Sequence, residues 1–209
     1  MNHKRIKEQS RKILNNNFLD YWKGYLIIIA ADFICLSFFK LLLDTSNHEL
    51  VNSLVSFGVS LLIAPLSFGF TSYIMAITRG DEHELVDIFQ YFKSPNSIWI
   101  ISILVSFSIM LWSFLFIIPG IIIAISYSLV SYIYIDKNVN PKGCIEESMQ
   151  LMSGYKWDYF TLLSSFIGLF VLSILTFGLL FVYLIPYVNI SKVLYYDEVR
   201  ALKKRLTKE

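Results

Sequence analysis

Charge is what this 209-residue chain has least of: Asp, Glu, Lys and Arg make up 16% of it, against about 25% in an average soluble domain. The shortage is concentrated. Residues 94–135, 42 positions, carry no charge, and neither do the 33 positions of 159–191 or the 29 of 50–78. A soluble core cannot bury such runs in so short a chain. The net charge of +2 is too small to signal nucleic-acid binding. Histidine is scarce: His3, His48 and His83 fall on predicted flanks on opposite membrane sides, so they are not expected to share a metal. The two cysteines, Cys35 in an apolar run and Cys144 in a connection, are expected to be free thiols. No G-x-S-x-G, phosphate-binding glycine loop, H-E-x-x-H or closely spaced cysteine pair is present. Neither catalysis nor a cofactor is expected. No short apolar core leads to a cleavage site before Trp22, so no cleavable leader is expected either.

Hydrophobic residues are abundant, at 56%. A bilayer crossing takes about 20 mostly apolar residues and at least about 17, so the uncharged runs predict an all-α integral membrane bundle of six transmembrane helices. The first is placed at Trp22–Leu43 and the second at Leu50–Thr78, with Pro65 inside it. The long run divides at Pro119-Gly120, a helix-breaking pair, into Ile98–Phe116 and Pro119–Asp136. The last run divides at Thr176-Phe177-Gly178 into Tyr159–Leu175 and Leu179–Tyr195, each near the minimum length for spanning. A shallow re-entrant hairpin is the alternative for that pair. The chain is then a single membrane domain, with a basic amphipathic segment 1–21, a bundle 22–196 and a basic tail 197–209.

Lys and Arg sort to one side of this arrangement. Lys4, Arg5, Lys7, Arg11 and Lys12 precede the first span, Arg79 and Lys93 lie between the second and third, Lys137, Lys142 and Lys156 between the fourth and fifth, and six more close the chain. Only Lys40 falls toward the other side, where the connectors are Asp44–Glu49 and the two glycine turns. By the positive-inside rule both termini are cytoplasmic. Trp22, Trp99, Lys156 and Trp157 are interface anchors on that side, since an indole has an apolar body and a polar edge.

The cytoplasmic connections read as amphipathic helices lying on the membrane surface. Asp81 caps the first, with Glu84 three residues on and Leu85, Ile88, Phe89 and Phe92 on one face. Asn140 caps the second, Pro141 takes its first position, and Ile145, Met149 and Met152 share a face. Attraction to anionic lipid and docking of a cytosolic partner are the two readings of these helices. A span, a cytoplasmic helix, a span and a glycine turn occur twice. That pattern is either a duplication or what any six-span chain with short outer turns displays.

Within the spans, Ser56, Ser60, Ala64, Ser67 and Thr71 lie along one face of the second, as helix-packing seams require. Asp32 is the ionisable group nearest mid-bilayer, an expensive place for a carboxylate. It should face inward, either as a proton or cation site or as a carboxyl bonded to serines such as Ser60 and Ser67. Pro186-Tyr187 reads as a break in the sixth span, either freeing a carbonyl for coordination or kinking the helix for packing.

The second half carries a family resemblance. Ile118-Pro119-Gly120-Ile121-Ile122, Ser126-Tyr127-Ser128, Asp136, Met152, Gly154, Lys156-Trp157, Phe160, Ser165-Phe166-Ile167, Thr176, Gly178, Pro186-Tyr187 and Tyr195-Tyr196 follow one another in an order and spacing similar to the domain of unknown function 975. Where that pattern usually continues to a Trp, Leu169 stands here. The resemblance implies a polytopic protein of the bacterial cytoplasmic membrane and brings no catalytic residues. The expected function is non-enzymatic action by interaction, with the lipid bilayer and a transporter subunit or a membrane-active peptide as partners. The alternatives are a small permease using Asp32 and the broken sixth helix, and a lipid-handling or membrane-stress protein.

Overall fold

A computed structural model describes residues 2–43, 49–93 and 95–206, and among these the chain is helical with no strand. Nine α-helices follow in order: α1 His3–Leu43, α2 Glu49–Arg79, α3 Asn96–Leu115, α4 Ile117–Tyr127, α5 Val130–Lys137, α6 Pro141–Met152, α7 Lys156–Ser164, α8 Ile167–Leu175 and α9 Phe181–Leu206, with a 3₁₀ segment Leu85–Lys93 after α2. The expected connector Asp44–Glu49 lies, except for Glu49, outside the described residues.

Among the described residues five segments are long and apolar enough to cross a membrane: His3–Leu41, Val51–Arg79, Asn96–Phe114, Ile117–Lys137 and Lys156–Leu175. The sixth expected span is not among them. It forms the first part of α9, a helix whose apolar stretch is interrupted by Asn189, Ser191 and Lys192 and which continues into the basic tail. Nor does the N-terminal segment stand apart from the first span, because α1 runs through both with one kink at Asn17 (φ −122°, ψ 23°).

Burial divides the helices crosswise. One end holds the core, where Ile6, Leu14, Tyr21, Ile88, Ile98, Leu129, Ile133, Met152, Leu162, Ile190, Tyr195 and Tyr196 are all fully enclosed. At the other end large apolar side chains are exposed: Phe33, Phe38 and Leu41 on α1, Leu54 and Phe57 on α2, Phe107 and Phe114 on α3, Ile118 on α4, Leu175 on α8 and Phe177 and Leu179 beyond it. An apolar band of this kind is unfavourable in water and natural in lipid. Every described helix hairpin closes at the apolar end, and the connections α2–α3, α5–α6 and α6–α7 sit at the other.

The hairpins turn differently from one another. Between α3 and α4 a single extended residue, Phe116 (φ −156°, ψ 138°), reverses the chain. Pro119 and Gly120 are therefore not the turn, but the third and fourth residues of α4. Proline is tolerated there because the first N–H groups of a helix have no partner within it. Gly120 lets the two helices touch: a Cβ there would come 2.9 Å from the Cα of Ser113. Between α8 and α9 the turn does fall at Phe177-Gly178, both with positive φ (52° and 87°).

The fourth and fifth expected spans are each divided, α4 from α5 at Ser128-Leu129 and α7 from α8 at Ser165-Phe166. A division frees a carbonyl, and each is taken up by a side chain from another helix. Ser148 of α6 donates to the Ser126 carbonyl at 2.7 Å. Lys7 of α1 donates to the Ser165 carbonyl at 3.2 Å, its ammonium 4.6 Å from the centre of the Phe166 ring.

The connections are more firmly held than surface helices. The first is 3₁₀, and Asp87 rather than Asp81 serves its start, accepting from the Glu84 N–H at 2.8 Å. Its Ile88 is fully buried against Gly69 of α2. A Cβ on Gly69 would lie 1.8 Å from the Ile88 carbonyl oxygen, so only glycine permits this contact. In α6 the Asn140 side chain accepts from the Gly143 N–H at 2.7 Å and Pro141 opens the helix. Its buried face is Cys144, Ser148, Leu151 and Met152, leaving Met149 exposed. The face expected from Met149 is off by about a quarter turn, since α6 is set by its seat on α3, α4 and α5.

Candidate functional site

Charges gather where α2, α5 and α9 end. Asp136, in the last turn of α5, has a side chain only 9% exposed. Its carboxylate accepts from Arg79 through both oxygens (2.7 and 3.1 Å), from the Tyr196 hydroxyl (3.0 Å) and from Arg200. Arg79, the last residue of α2, forks a second time onto Asp197 (2.6 and 3.2 Å). A guanidinium suits this place because its planar donors match a carboxylate on each side, and because a cation at a helix C-terminus complements the helix dipole. Beside this knot Lys137 pairs with Glu147 of α6 at 2.5 Å. The charges thus tie four helices together.

An open cleft of about 960 Å³ adjoins the knot between α6 and the last turns of α9. Glu146, Glu147, Asp197, Lys137, Arg200, Lys203 and Lys204 all line it, so both signs of charge face the same space. The buried Cys144 is a free thiol beside it, and burial, then Glu147, push its pKa up, which holds it protonated and unreactive. Among the described residues no group of three His, Cys, Asp or Glu could hold a metal ion.

A second, smaller space of about 260 Å³ lies deeper, among α1, α2, α5 and α9. Tyr25, Ser67, Thr71, Tyr132 and Asn189 contribute its polar wall. Asn189 donates to the Tyr21 hydroxyl at 2.8 Å.

The residues singled out from the sequence do not converge. Asp32 is half-buried and makes no bond to Ser60 or Ser67 among the described residues. Ser60 donates to Phe57 of its own helix, and Ser67 reaches the deeper cavity, not Asp32. Pro186 does not break its helix, for α9 is continuous from Phe181 to Leu206. The carbonyl that proline leaves unpaired, that of Val182, accepts from the indole N–H of Trp22 at 3.1 Å. Tyr187 is buried edge-on against Phe166, their ring centres 5.1 Å apart. Lys156 opens α7, and Trp157 is 76% exposed beside Phe160. Trp99 is half-buried, and its indole N–H has no acceptor among the described residues.

The charged knot went unread in the sequence, although a signal existed. Asp136 is the first charge after a 42-residue uncharged run, on a flank otherwise dominated by cations. A carboxylate at a helix end in such surroundings needs a counter-ion.

These features define a class: a protein that is all-helical among the described residues, with five helices there long and apolar enough to cross a membrane, joined at one end by ion pairs about a nearly buried carboxylate. Residues 114–203 match the family described as protein of unknown function (DUF975), which covers α4 to most of α9 and includes Asp136, Tyr196, Asp197 and Arg200. Neither a curated protein nor a solved structure matches the chain.

Proposed function

We propose that this protein is a six-span protein of the bacterial cytoplasmic membrane, with both termini in the cytoplasm, that works without catalysis by binding a protein partner at its charged end. The cleft between α6 and α9 carries this reading. Its walls are fixed by Lys137–Glu147 and by the Arg79–Asp136–Arg200 knot, and side chains of both signs line the open space between them. Mixed charge of this kind complements a polar protein segment better than a ligand of one sign, such as a nucleic acid. The partner we favour is the cytoplasmic face of a transporter subunit, and a membrane-active peptide is the second.

The sixth crossing is supported by the exposed apolar residues Leu179, just before α9, and Val182, in its first turn, and by the return of α9 beside α8. The cytoplasmic placement of the charged end is supported by the sorting of Lys and Arg.

The test is affinity purification of the tagged chain from native membranes in mild detergent, followed by mass spectrometry. The double reversal Glu146→Lys, Lys204→Glu serves as control. A stoichiometric transporter subunit lost on reversal supports the proposal, whereas recovery of the chain alone from both preparations refutes it. A permease path through Asp32 and the carbonyl at Pro186 has less support, because those groups are apart and the carbonyl is occupied.

A further inference from the structure

We infer that the 260 Å³ cavity among α1, α2, α5 and α9 is a binding site for the uncharged glycerol-ester segment of a membrane glycerolipid. The inference goes beyond partner binding and needs only that the apolar helices cross a bilayer with the charged end at its surface.

The wall mixes the polar groups of Tyr25, Ser67, Thr71, Tyr132 and Asn189 with apolar side chains and contains no Asp, Glu, Lys or Arg. Tyr132 is more than nine-tenths buried, its ring stacked on Tyr196 with centres 5.4 Å apart, and its hydroxyl makes no hydrogen bond among the described residues. Asn189 spends its amide N–H on Tyr21 and keeps its carbonyl oxygen. Thr71 donates to the Ser67 carbonyl, so its own oxygen can still accept. The space therefore offers donors in the Tyr132 hydroxyl and the second Asn189 amide N–H, and several acceptors, all neutral. A ligand carrying ester carbonyls and a hydroxyl would engage both kinds of group.

Depth selects the same ligand. Tyr132 is one helical turn from Asp136, and Thr71 and Asn189 are each eight residues from Arg79 and Asp197, placing the cavity about 6–12 Å from the charged end at 1.5 Å per residue. The polar layers outside the roughly 30 Å hydrocarbon core take about 5–8 Å on each side. With the knot at the membrane surface, the cavity sits where headgroup gives way to acyl chain, the level of glycerol and its esters. Ser67, on the rim, is exposed, and one to two turns further the exposed Leu62 of α2 and Ile29 of α1 offer an apolar bed for the chains.

The full-length protein in lipid nanodiscs would be photolabelled with a diazirine-bearing diacylglycerol, the sites mapped by mass spectrometry, and the label competed with unlabelled diacylglycerol or phosphatidylglycerol. Expected is saturable labelling around Phe70–Ile74, Tyr132 and Asn189, weakened about fivefold by Tyr132→Phe, the equivalent of one neutral hydrogen bond. Tyr132→Phe keeps the ring and its stack. Should it nevertheless fail to fold, Ser67→Met on the exposed rim narrows the mouth without touching the core and should reduce labelling likewise. Competition by both lipids assigns the site to any glycerolipid, and competition by one alone identifies the source. Label spread evenly over the exposed apolar faces, uncompeted and unchanged in the variants, overturns the inference.

Discussion

Replacing Asp136 by Asn removes one charge and one acceptor from a carboxylate that holds Arg79, Arg200 and Tyr196 together. Breaking a buried ion pair by removing one partner costs about 3–5 kcal/mol. Here the carboxylate is nearly buried, but the Arg79 and Arg200 side chains are 28% and 41% exposed, and Arg79 keeps Asp197. Water recovers part of the loss on the arginine side, which brings the expected cost to about 2–3 kcal/mol. For a chain of this length each kcal/mol moves the unfolding midpoint by roughly 2–4 °C, so the variant should melt about 4–12 °C lower in detergent. Thermal unfolding followed by tryptophan fluorescence reads this directly. Arg79→Gln should cost at least as much, since it ends both forks, and the double variant should cost clearly less than the sum. A loss below 1 kcal/mol for Asp136→Asn, or strict additivity, would show that the knot is a solvated surface pair and not the clasp described above.

Three further outcomes are expected. Gly69→Ala sets a methyl 1.8 Å from the Ile88 carbonyl oxygen, so the 3₁₀ segment must move off α2 at a cost of about 3 kcal/mol or more; normal melting together with unchanged protease resistance of the segment would contradict this. Trp22→Phe strands the Val182 carbonyl and should cost about 1–2 kcal/mol, whereas in a Pro186→Ala background, where residue 186 supplies its own N–H, the same change should cost much less. Asp32→Asn should leave the unfolding free energy within about 0.5 kcal/mol of the parent, because the side chain has no polar partner among the described residues; a large loss would reveal a bond to Asp32.

The apolar helices were legible because uncharged runs are a one-dimensional property. So was the Asn140-Pro141 start of α6, where the cap is made within four residues. What escaped depends on neighbours far along the chain. The break at Ser165 is stable because Lys7, 158 positions earlier, takes its carbonyl. The helix survives Pro186 because Trp22, 160 positions from Val182, takes the carbonyl that proline frees. Local rules put the first hairpin turn at Pro119-Gly120, but a first-turn proline costs a helix nothing, so α4 could begin two residues earlier at Ile117. The knot eluded the sequence because each of its members looks like an ordinary flanking charge until three helix ends meet.

The stitching of the two divided helices bears on how the chain is made. Ser126 meets its partner Ser148 within 22 residues, so that hairpin can close soon after it leaves the ribosome. Lys7 is synthesised among the first residues but cannot reach its acceptor until α7 and α8 exist, near the end of translation. Until then the Lys7 ammonium has no Ser165 carbonyl to meet, and the bend between α7 and α8 has no side chain to hold it. Insertion of the last hairpin and docking of the amino-terminal helix are thereby one event, and a nascent chain stopped before residue 165 lacks the acceptor for it.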